Sequence, residues 1–211
     1  MDVVDLGIVE YREAWDLQRS IAADVAAGTR PDTVLFLEHP PTITLGRRSE
    51  PEELHVPDGA EVAIVEVDRG GKSTYHAPGQ LVCYPILDLG RHGQDVRKYC
   101  RDLELALART LDAFSLEGTT FDGLTGVWLD RPPRKIASIG IHIHKWVTTH
   151  GYALNVDLDP APFTQWITAC GLDGYAFTTM AKELGRPVTV DDVRGVAAEA
   201  LADVLGVTAT V

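Results

Sequence analysis

The sequence predicts an α+β fold in which a mixed β-sheet is flanked by helices. Short β-branched segments bounded by Pro, Gly or Asp fill the middle of the chain, as is typical of strands separated by turns. Segments with helical periodicity lie mainly towards the two ends. No repeat, linker or low-complexity tract divides the 211 residues, so we expect residues 1–211 to form a single domain.

The first predicted elements are a strand near residues 3–9 and a helix that ends at Gly28. The stretch YREAWDLQRSIAADVAAG predicts an amphipathic helix. Its apolar positions at helical spacing are Trp15, Leu17, Ile21, Ala22 and Val25. Four strands are then predicted at DTVLFLEH, TITLG, EVAIVEVD and QLVCYPILDL, because each is short, rich in β-branched residues and bounded by turn residues.

The segment GQDVRKYCRDLELALARTLDAF predicts the principal helix packed on the sheet. Its expected buried face holds Val96, Tyr99, Cys100, Leu103, Leu107 and Leu111. This pattern places Cys100 towards the core. Strand signals return at GVWL, KIASIGIHI and WVTTHGYALNV. The last segment predicts helices, with Thr189 and Asp192 as a capping signature.

The charge balance argues against two classes of partner. The chain has 19 basic and 31 acidic residues and a formal net charge of -12. A field of this sign repels phosphate backbones and anionic membrane surfaces, so we expect neither nucleic acid nor a membrane as a partner. A locally basic segment could still dock an acidic protein. Its basic residues are Arg69, Lys72, Arg91, Arg97, Lys98 and Arg101.

The N-terminal stretch MDVVDLGIVE lacks the basic and apolar regions of a secretory signal. No apolar run approaches the roughly 20 residues that a membrane span needs. The three cysteines are odd in number and irregularly spaced, which argues against a disulfide framework. We therefore expect a cytoplasmic protein with reduced thiols.

The segment RGGKSTYHAPGQ, residues 69–80, is a candidate ligand-binding loop. Its glycines allow the backbone to approach a ligand closely, and Arg69 could fix an anionic or carbonyl group. The spacing matches neither GxxxxGK[ST] nor GxGxxG, so it predicts no nucleotide site. The alternative interpretation is a tight hairpin loop with a polar tip.

Cys170 is the candidate nucleophile among the three thiols. Cys83 lies in an apolar strand and Cys100 on a helix face predicted to be buried, where cysteine acts as a small hydrophobe. Cys170 lies in WITACGLDG, where an apolar segment breaks at a glycine. A nearby ammonium can lower the pKa of a thiol, and Lys135 is a candidate for that role. The alternatives are a structural cysteine and a solvated lysine.

The histidines of KIASIGIHIHKWVTTHG suggest a possible zinc site. His142 and His144 would share one face of a strand, and His150 on the next strand could complete the ligand set. No acidic or thiol ligand is near in sequence, and a register shift of one residue would move His150 to the opposite face. We therefore predict no metal site.

Four stretches in order resemble the lipoyl(octanoyl) transferase family. They are LEHPPTITLGR, RGGKSTYHAPGQLVCYPILDL, KIASIGIHIHKWVTTHGYALNV and ACGL, and they lie between residues 36 and 172. The resemblance implies the fold of lipoate and biotin protein ligase catalytic domains. The sequence departs from the family pattern at Ala77, where a glycine is usual. Alanine restricts the backbone more than glycine would.

The resemblance implies a role for each matching residue. Cys170 would carry the acyl group, and Lys135 would lower the pKa of its thiol. The acyl substrate would be bound by Arg69, Gly70, Gly71, Lys72, Ser73, Thr74, Tyr75, His76, Ser138, Ile139, Gly140, Gly151, Tyr152 and Ala153.

The implied activity is transfer of an octanoyl group from acyl carrier protein to a lysine of lipoyl domains, through a cysteine thioester. The acceptors would be the E2 subunits of 2-oxoacid dehydrogenases and the glycine cleavage H protein. No cofactor is expected, because the octanoyl group arrives as a thioester on phosphopantetheine. The alternatives are an ATP-dependent lipoate or biotin protein ligase of the same fold, and a noncatalytic metal-binding or carrier-docking protein.

Overall fold

An eight-stranded mixed sheet forms the centre of the protein in the computed structural model, which describes residues 1–168, 176–208 and 210. This confirms the predicted sheet flanked by helices. The strands are β1 (Asp2–Ile8), β2 (Thr33–Glu38), β3 (Thr42–Leu45), β4 (Ala63–Glu66), β5 (Thr74–His76), β6 (Gln80–Ile86), β7 (Thr119–Phe121), β8 (Leu124–Leu129), β9 (Arg134–His144), β10 (Val147–Asn155) and β11 (Ala176–Phe177). The helices are α1 (Tyr11–Ala27), α2 (Val96–Asp112), α3 (Pro162–Gln165), α4 (Met180–Leu184) and α5 (Val190–Leu205).

The order of the main sheet is β1-β2-β6-β10-β9-β8-β7, and β11 pairs with β9. The β1–β2 and β9–β11 pairs are parallel, whereas the other pairs in this sheet are antiparallel. A second sheet has the order β4-β3-β5. Because β4 and β5 both pair with β3, residues 69–80 do not form a tight hairpin, and the alternative interpretation of this segment is wrong.

Helices α2 and α5 cover one face of the main sheet, which we call the α2 side. Their buried aliphatic residues join those of β6, β8, β9 and β10 in the largest apolar cluster. Helix α2 begins at Asp95, whose side chain accepts a hydrogen bond from the Lys98 amide. The predicted capping box of Thr189 and Asp192 starts α5. These caps fix where both helices begin.

The predicted face of α2 is correct at its centre and wrong at its margins. Leu103, Leu107 and Leu111 are fully buried. Val96 is 40% exposed, and Cys100 is half-buried rather than in the core. Both residues lie at the edge of the apolar stripe, where helical periodicity alone does not determine burial.

Helix α1 covers the opposite face, which we call the α1 side. Ala14, Ile21 and Val25 pack there against β2, β6 and β10. Leu17, which was predicted to share the apolar face of this helix, is 37% exposed. Gln18 is buried in its place, and its Oε1 accepts a 2.7 Å hydrogen bond from the His150 amide. The apolar pattern of the helix therefore did not reveal that the polar residue Gln18 is buried.

No described helix has the length and apolar character needed to cross a membrane.

Candidate active site

A β-bulge in β9 determines the direction of Lys135. Val127 of β8 pairs with Ala137, whereas the next residue, Trp128, pairs with Lys135, so Ile136 is the extra residue on β9. Ile136 and Ala137 both belong to the apolar cluster of the α2 side. Side chains of a regular strand alternate between faces, and the bulge shifts that alternation. Lys135 therefore lies on the same face as Trp128, away from this cluster.

The Lys135 side chain is 3% exposed. Its Nζ donates a 2.9 Å hydrogen bond to the Thr125 carbonyl and lies 5.2 Å from the centroid of the Trp128 ring. Gly126 makes room for this arrangement, since a Cβ at that position would lie 2.9 Å from Lys135 Cε and 2.4 Å from the Ala137 carbonyl oxygen. The strand end thus carries a confined lysine, not a solvated one.

A cavity of about 280 Å³ extends from Lys135 along β9 and across the sheet. Its floor on the α1 side is a row of small residues. Ser138 pairs with Ala153, and Ala153 pairs with Val82, so the row crosses β9, β10 and β6. On neighbouring strands, laterally paired side chains lie on the same face. Small side chains in one row leave the space that larger residues would fill.

Two glycines beside this row allow close packing of the surrounding backbone. Gly140 pairs with Gly151, and a Cβ at Gly140 would lie 2.9 Å from Arg69 Cδ. A Cβ at Gly151 would lie 2.2 Å from the Cys83 carbonyl oxygen. Gly140 thus admits the 69–76 loop, and Gly151 admits the neighbouring strand β6. These contacts explain both glycines by packing.

The loop at residues 69–76 forms another wall of the cavity, and Arg69 holds it in place. The Arg69 guanidinium donates to the Thr44 carbonyl at 2.9 Å and to Thr44 Oγ1 at 2.7 Å. It also donates to the Lys72 carbonyl at 2.8 Å. The Gly70 amide donates to the Ile141 carbonyl at 2.9 Å, which ties the loop to the edge of β9. Arg69 therefore has a structural role whether or not it contacts a substrate.

Ala77 needs no unusual backbone conformation. Gly71 and Gly79 have φ values of +89°, whereas Ala77 is not among the described residues with positive φ. The departure from the family pattern is therefore accommodated without strain at this residue.

Tyrosine and histidine side chains form the wall of the cavity opposite Lys135. Tyr84 donates a 2.8 Å hydrogen bond to His39 Nε2, because His39 Nδ1 donates to the Val9 carbonyl at 2.7 Å. Tyr11 donates to His150 Nδ1 at 3.2 Å, and His150 Nε2 donates to Asp68 at 2.8 Å. Both tyrosine rings are therefore fixed by partners behind the wall.

Burial keeps the histidines of this wall neutral at pH 7. Desolvation lowers the pKa of His39 to about 4 and the pKa of His76 well below its usual value. Desolvation also lowers the pKa of His150, although the hydrogen bond that it donates to Asp68 acts in the opposite direction. Burial raises the pKa of Tyr11 to about 12. The histidines and tyrosines of this wall are therefore uncharged, while the charges of Arg69 and Asp68 act on them from nearby.

Most of the predicted substrate-binding residues line this cavity. Those that do are Arg69, Gly70, Gly71, Lys72, Thr74, His76, Ser138, Ile139, Gly140, Gly151, Tyr152 and Ala153, together with Lys135. Ser73 and Tyr75 are buried and do not line it. Tyr75 instead packs against Phe163 and Trp166 in a separate apolar cluster. Cys170 lies outside the described residues, so its predicted role and its approach to Lys135 stay predictions.

The sequence reasoning did not identify several lining residues. Tyr11, Val82 and Tyr84 come from a helix and a strand that were assigned only to the core. Cys100 also contributes to the wall, and burial raises the pKa of its thiol. No sequence signal marks these residues, because helical and strand periodicity show burial but not the presence of a cavity.

The three histidines proposed as alternative zinc ligands do not converge. His150 and His142 both lie near Asp68, at 2.8 and 3.7 Å, whereas His144 is exposed at the end of β9. Within residues 1–168, 176–208 and 210, no group of three His, Cys, Asp or Glu side chains is arranged to hold a metal ion.

Comparisons with known proteins agree with this fold. The profile of the lipoyl protein ligase A/B catalytic domain matches residues 10–202. An octanoyltransferase of Geobacter sulfurreducens is 46% identical over 198 residues, which covers 94% of this chain and 82% of the relative. An octanoyltransferase of Mycobacterium tuberculosis is 49% identical over 203 residues, with 95% and 85% covered. These relatives confirm the predicted family and an acyltransferase.

Solved structures of more distant proteins show the same fold. A bi-partite lipoate protein ligase of Thermoplasma acidophilum has a TM-score of 0.75 at 15% identity, covering 99% of this chain and 84% of that protein. A biotin protein ligase of Aquifex aeolicus has a TM-score of 0.60 at 13% identity, covering 97% and 70%. The profile and the close relatives, in turn, show that the chain belongs to the lipoyl protein ligase A/B catalytic domain family, among relatives that are octanoyltransferases.

Proposed function

We propose that the protein moves an octanoyl group from the phosphopantetheine thioester of acyl carrier protein to a lysine of a lipoyl domain, with Cys170 as the intermediate acyl carrier. The relatives at 46% and 49% identity are octanoyltransferases, which supports the octanoyl group. The archaeal ligase of the same fold was studied together with its E2 lipoyl domain, which supports that class of acceptor. The glycine cleavage H protein is a second acceptor within this proposal.

The first half of the reaction is thioester exchange. The Cys170 thiolate attacks the octanoyl carbonyl carbon, a new carbon–sulfur bond forms, and the bond to the carrier sulfur breaks. The carrier thiolate leaves and takes up a proton. The cavity at Lys135 supports this step, because a buried ammonium beside a thiol favours the thiolate.

The second half is acyl transfer to nitrogen. The acceptor lysine, as a free amine, attacks the octanoyl-Cys170 carbonyl; a carbon–nitrogen bond forms and the thiolate leaves. The amine loses one proton, for which the Lys135 side chain is the proposed relay. Thioester exchange is nearly neutral in free energy and amide formation is downhill, so the scheme requires neither ATP nor a metal. We infer that the protein acts in the cytoplasm, together with its carrier and its acceptors.

The observation that carries this proposal is the confined Lys135 at one end of a cavity floored by small residues. Ser138, Gly140 and Ala153 leave space above the floor, and Tyr84, held by His39, forms part of one wall. Each methylene of an acyl chain that is buried in an apolar cavity contributes about 0.8 kcal/mol to the binding free energy. The cavity therefore supplies both the affinity for an acyl chain and a limit to its length.

Intact-protein mass spectrometry after incubation with octanoyl carrier protein tests the proposal. We expect a mass increase of one octanoyl group, lost again when a lipoyl domain is added. Cys170→Ser should abolish the adduct, whereas Cys100→Ser, which changes another thiol of the cavity wall, should retain it. If Cys170→Ser transfers octanoyl groups at the full rate, the proposal is wrong.

The second candidate is an ATP-dependent ligase that activates free lipoate or biotin as the adenylate. Only the fold supports it, since the ligase structures are 13–15% identical to this chain. It predicts pyrophosphate release from ATP and free octanoate, with Cys170→Ser fully active. Octanoyl transfer in the complete absence of ATP would exclude it.

A further inference from the structure

The backbone of Glu53 binds the chain that leads to Cys170. The Thr168 amide donates a 2.9 Å hydrogen bond to the Glu53 carbonyl. Next to this bond, Leu54 and Ile167 form an antiparallel bridge. Thr168 is the last described residue before Cys170, which follows two positions later. Two residues span at most about 7 Å, so Glu53 holds the chain close to the proposed nucleophile.

The side chain of Glu53 binds the loop at residues 69–76. Its Oε1 forms a short ion pair with Lys72 Nζ. The Glu53 side chain is only 8% exposed, so this carboxylate lies inside the protein. Lys72 lines the cavity, and its carbonyl accepts a 2.8 Å hydrogen bond from Arg69. One buried carboxylate therefore joins the loop of the cavity to the chain that precedes Cys170.

An aromatic contact joins the same two segments. Tyr75 of the loop packs edge-on against Trp166, with 5.8 Å between the ring centroids. The Trp166 carbonyl accepts a 2.7 Å hydrogen bond from the His55 amide, two residues after Glu53. Tyr75 was predicted to bind the substrate, but it does not line the cavity. Its contact with Trp166 instead connects the loop to the chain that Glu53 holds.

Both oxygens of the Glu53 carboxylate are engaged. Oε1 binds Lys72, and Oε2 accepts a 3.3 Å hydrogen bond from the Glu50 amide. The hydrogen bond with Glu53 raises the pKa of Lys72. The Glu50 carboxylate is exposed and lies 3.9 Å from Lys72 Nζ, so it is a weaker partner. A buried ion pair adds little net stability relative to apolar packing, because both charges lose water, so these contacts favour a role in fixing geometry.

We infer that Glu53 is a positioning residue for Cys170, an inference that rests on the proposed function. Its carbonyl holds the chain before the nucleophile, and its carboxylate holds the wall of the cavity through Lys72. Glu53 does not line the cavity, so it acts through the two segments that it joins. Without the ion pair, the Cys170 thiol would lie less often beside the Lys135 ammonium. Its thiolate would then be less stabilised.

The test is the pH dependence of iodoacetamide alkylation at Cys170, followed by peptide mass spectrometry. Glu53→Gln removes the ionic contact and keeps the shape of the side chain and the backbone carbonyl. We expect its alkylation profile to shift by about one pH unit to higher pH. We also expect kcat for octanoyl transfer to fall about tenfold, with KM for octanoyl carrier protein within about twofold. Glu52→Gln, at the exposed neighbouring carboxylate, is the matched control and should reproduce the wild-type values.

Lys72→Met breaks the same ion pair from the side of the loop, where the lysine side chain is partly exposed. It also carries the test if Glu53→Gln does not fold. Because the two residues act as one unit, the double variant Glu53→Gln/Lys72→Met should show a kcat no lower than that of the slower single variant. Urea denaturation establishes that each variant is folded under the assay conditions.

Two results would overturn the inference. One is a wild-type alkylation profile in folded Glu53→Gln, since a purely stabilising ion pair would change the free energy of unfolding and leave the thiol unaltered. The other is additive losses in the double variant, because Lys72 would then act on the substrate independently of Glu53. Failure of the proposed function gives a different result. The wild-type protein would then form no octanoyl-enzyme, whereas the alkylation profiles do not depend on transfer.

Discussion

The two faces of the central sheet are built for different purposes from the same strands. On the α2 side, Leu103, Leu107 and Leu111 meet large aliphatic residues of the sheet and are fully buried. On the α1 side, Ser138 and Ala153 occupy the equivalent central rows and leave an open floor. The large residues on the α2 side pack closely and contribute more to stability than the small residues on the α1 side. The difference shows that one sheet can combine a closely packed face with a face whose small residues leave a cavity.

The largest expected effect comes from Lys135→Ala on the α1 side. Loss of the ammonium should lower octanoyl transfer by about 100-fold or more, as for other positioned proton-transfer groups. Alkylation of Cys170 near neutral pH should also become slower. Lys145→Ala, at an exposed lysine of the β9–β10 turn, should alter neither rate. An unchanged alkylation rate across pH would remove Lys135 from its proposed role.

Leu107→Ala tests the packed face. Truncation of a fully buried leucine should lower the free energy of unfolding by about 2–5 kcal/mol in urea denaturation. The activity of the fraction that remains folded should change little, because Leu107 does not line the cavity. Leu17→Ala, at an exposed helical leucine, is the control and should lower the free energy of unfolding far less. Equal costs for both variants would contradict the described packing.

A pH dependence should arise from His39 behind the tyrosine wall. Its pKa of about 4 in the folded protein lies below the ordinary value of 6.5, so the unfolded chain binds more protons between these values. Stability from this group is fully present above pH 6.5 and decreases as the pH falls towards 4. The loss between pH 7.5 and pH 5 should be about 2 kcal/mol.

Urea denaturation of His39→Gln at several pH values measures this contribution. The variant should show a smaller decrease in unfolding free energy on acidification than the wild type. His55→Gln, at an exposed histidine, should retain the wild-type slope. Parallel slopes for the wild type and His39→Gln would contradict a neutral buried histidine.

The smallest expected effect concerns the acyl length limit. Ser138→Val adds bulk to the half-buried floor position nearest Lys135 along the row, so the longest tolerated chain should shorten by about one or two methylenes. The corresponding change in kcat/KM for octanoyl relative to hexanoyl donors is about fourfold to fifteenfold, at 0.8 kcal/mol for each methylene. Ser138→Ala should preserve the wild-type ratio. An unchanged preference in Ser138→Val would place the chain elsewhere.

The sequence predicted the sheet, the long helix α2 and the position of the glycine-rich segment, because each depends on local periodicity or turn residues. It did not predict β5 or β7, which are three residues long and show no distinct alternation. It also assigned Cys100 to the core, because a position at the margin of an apolar stripe is ambiguous. Local sequence patterns therefore predicted the main elements better than the burial of residues at the edge of an apolar face.

Local sequence patterns predicted only part of the candidate site. Lys135 and the glycine-rich loop were candidates from their residue pattern and received roles from the family resemblance, whereas Tyr11 and Tyr84 were not identified. These two residues come from separate elements and meet only through the order of the strands and the packing of α1. A strand pattern also gives no sign of a bulge, so the face occupied by Lys135 could not be predicted. The role of Cys170 stays a prediction.

The bulge at Ile136 has a consequence for how the protein can change. Lys135 lies three positions before Ser138 and five before Gly140, so a regular strand would place the lysine on the face opposite these small residues, yet the chemistry needs the charge and the empty floor together. The extra residue Ile136 in the bulge places the lysine and the small residues on the same face. Straightening of the strand without loss of a residue would turn the ammonium into the hydrocarbon interior, whereas deletion of Ile136 would leave Lys135 two positions before Ser138 and therefore on the cavity face. The bulge and the length of this strand must therefore change together if the ammonium is to stay at the cavity.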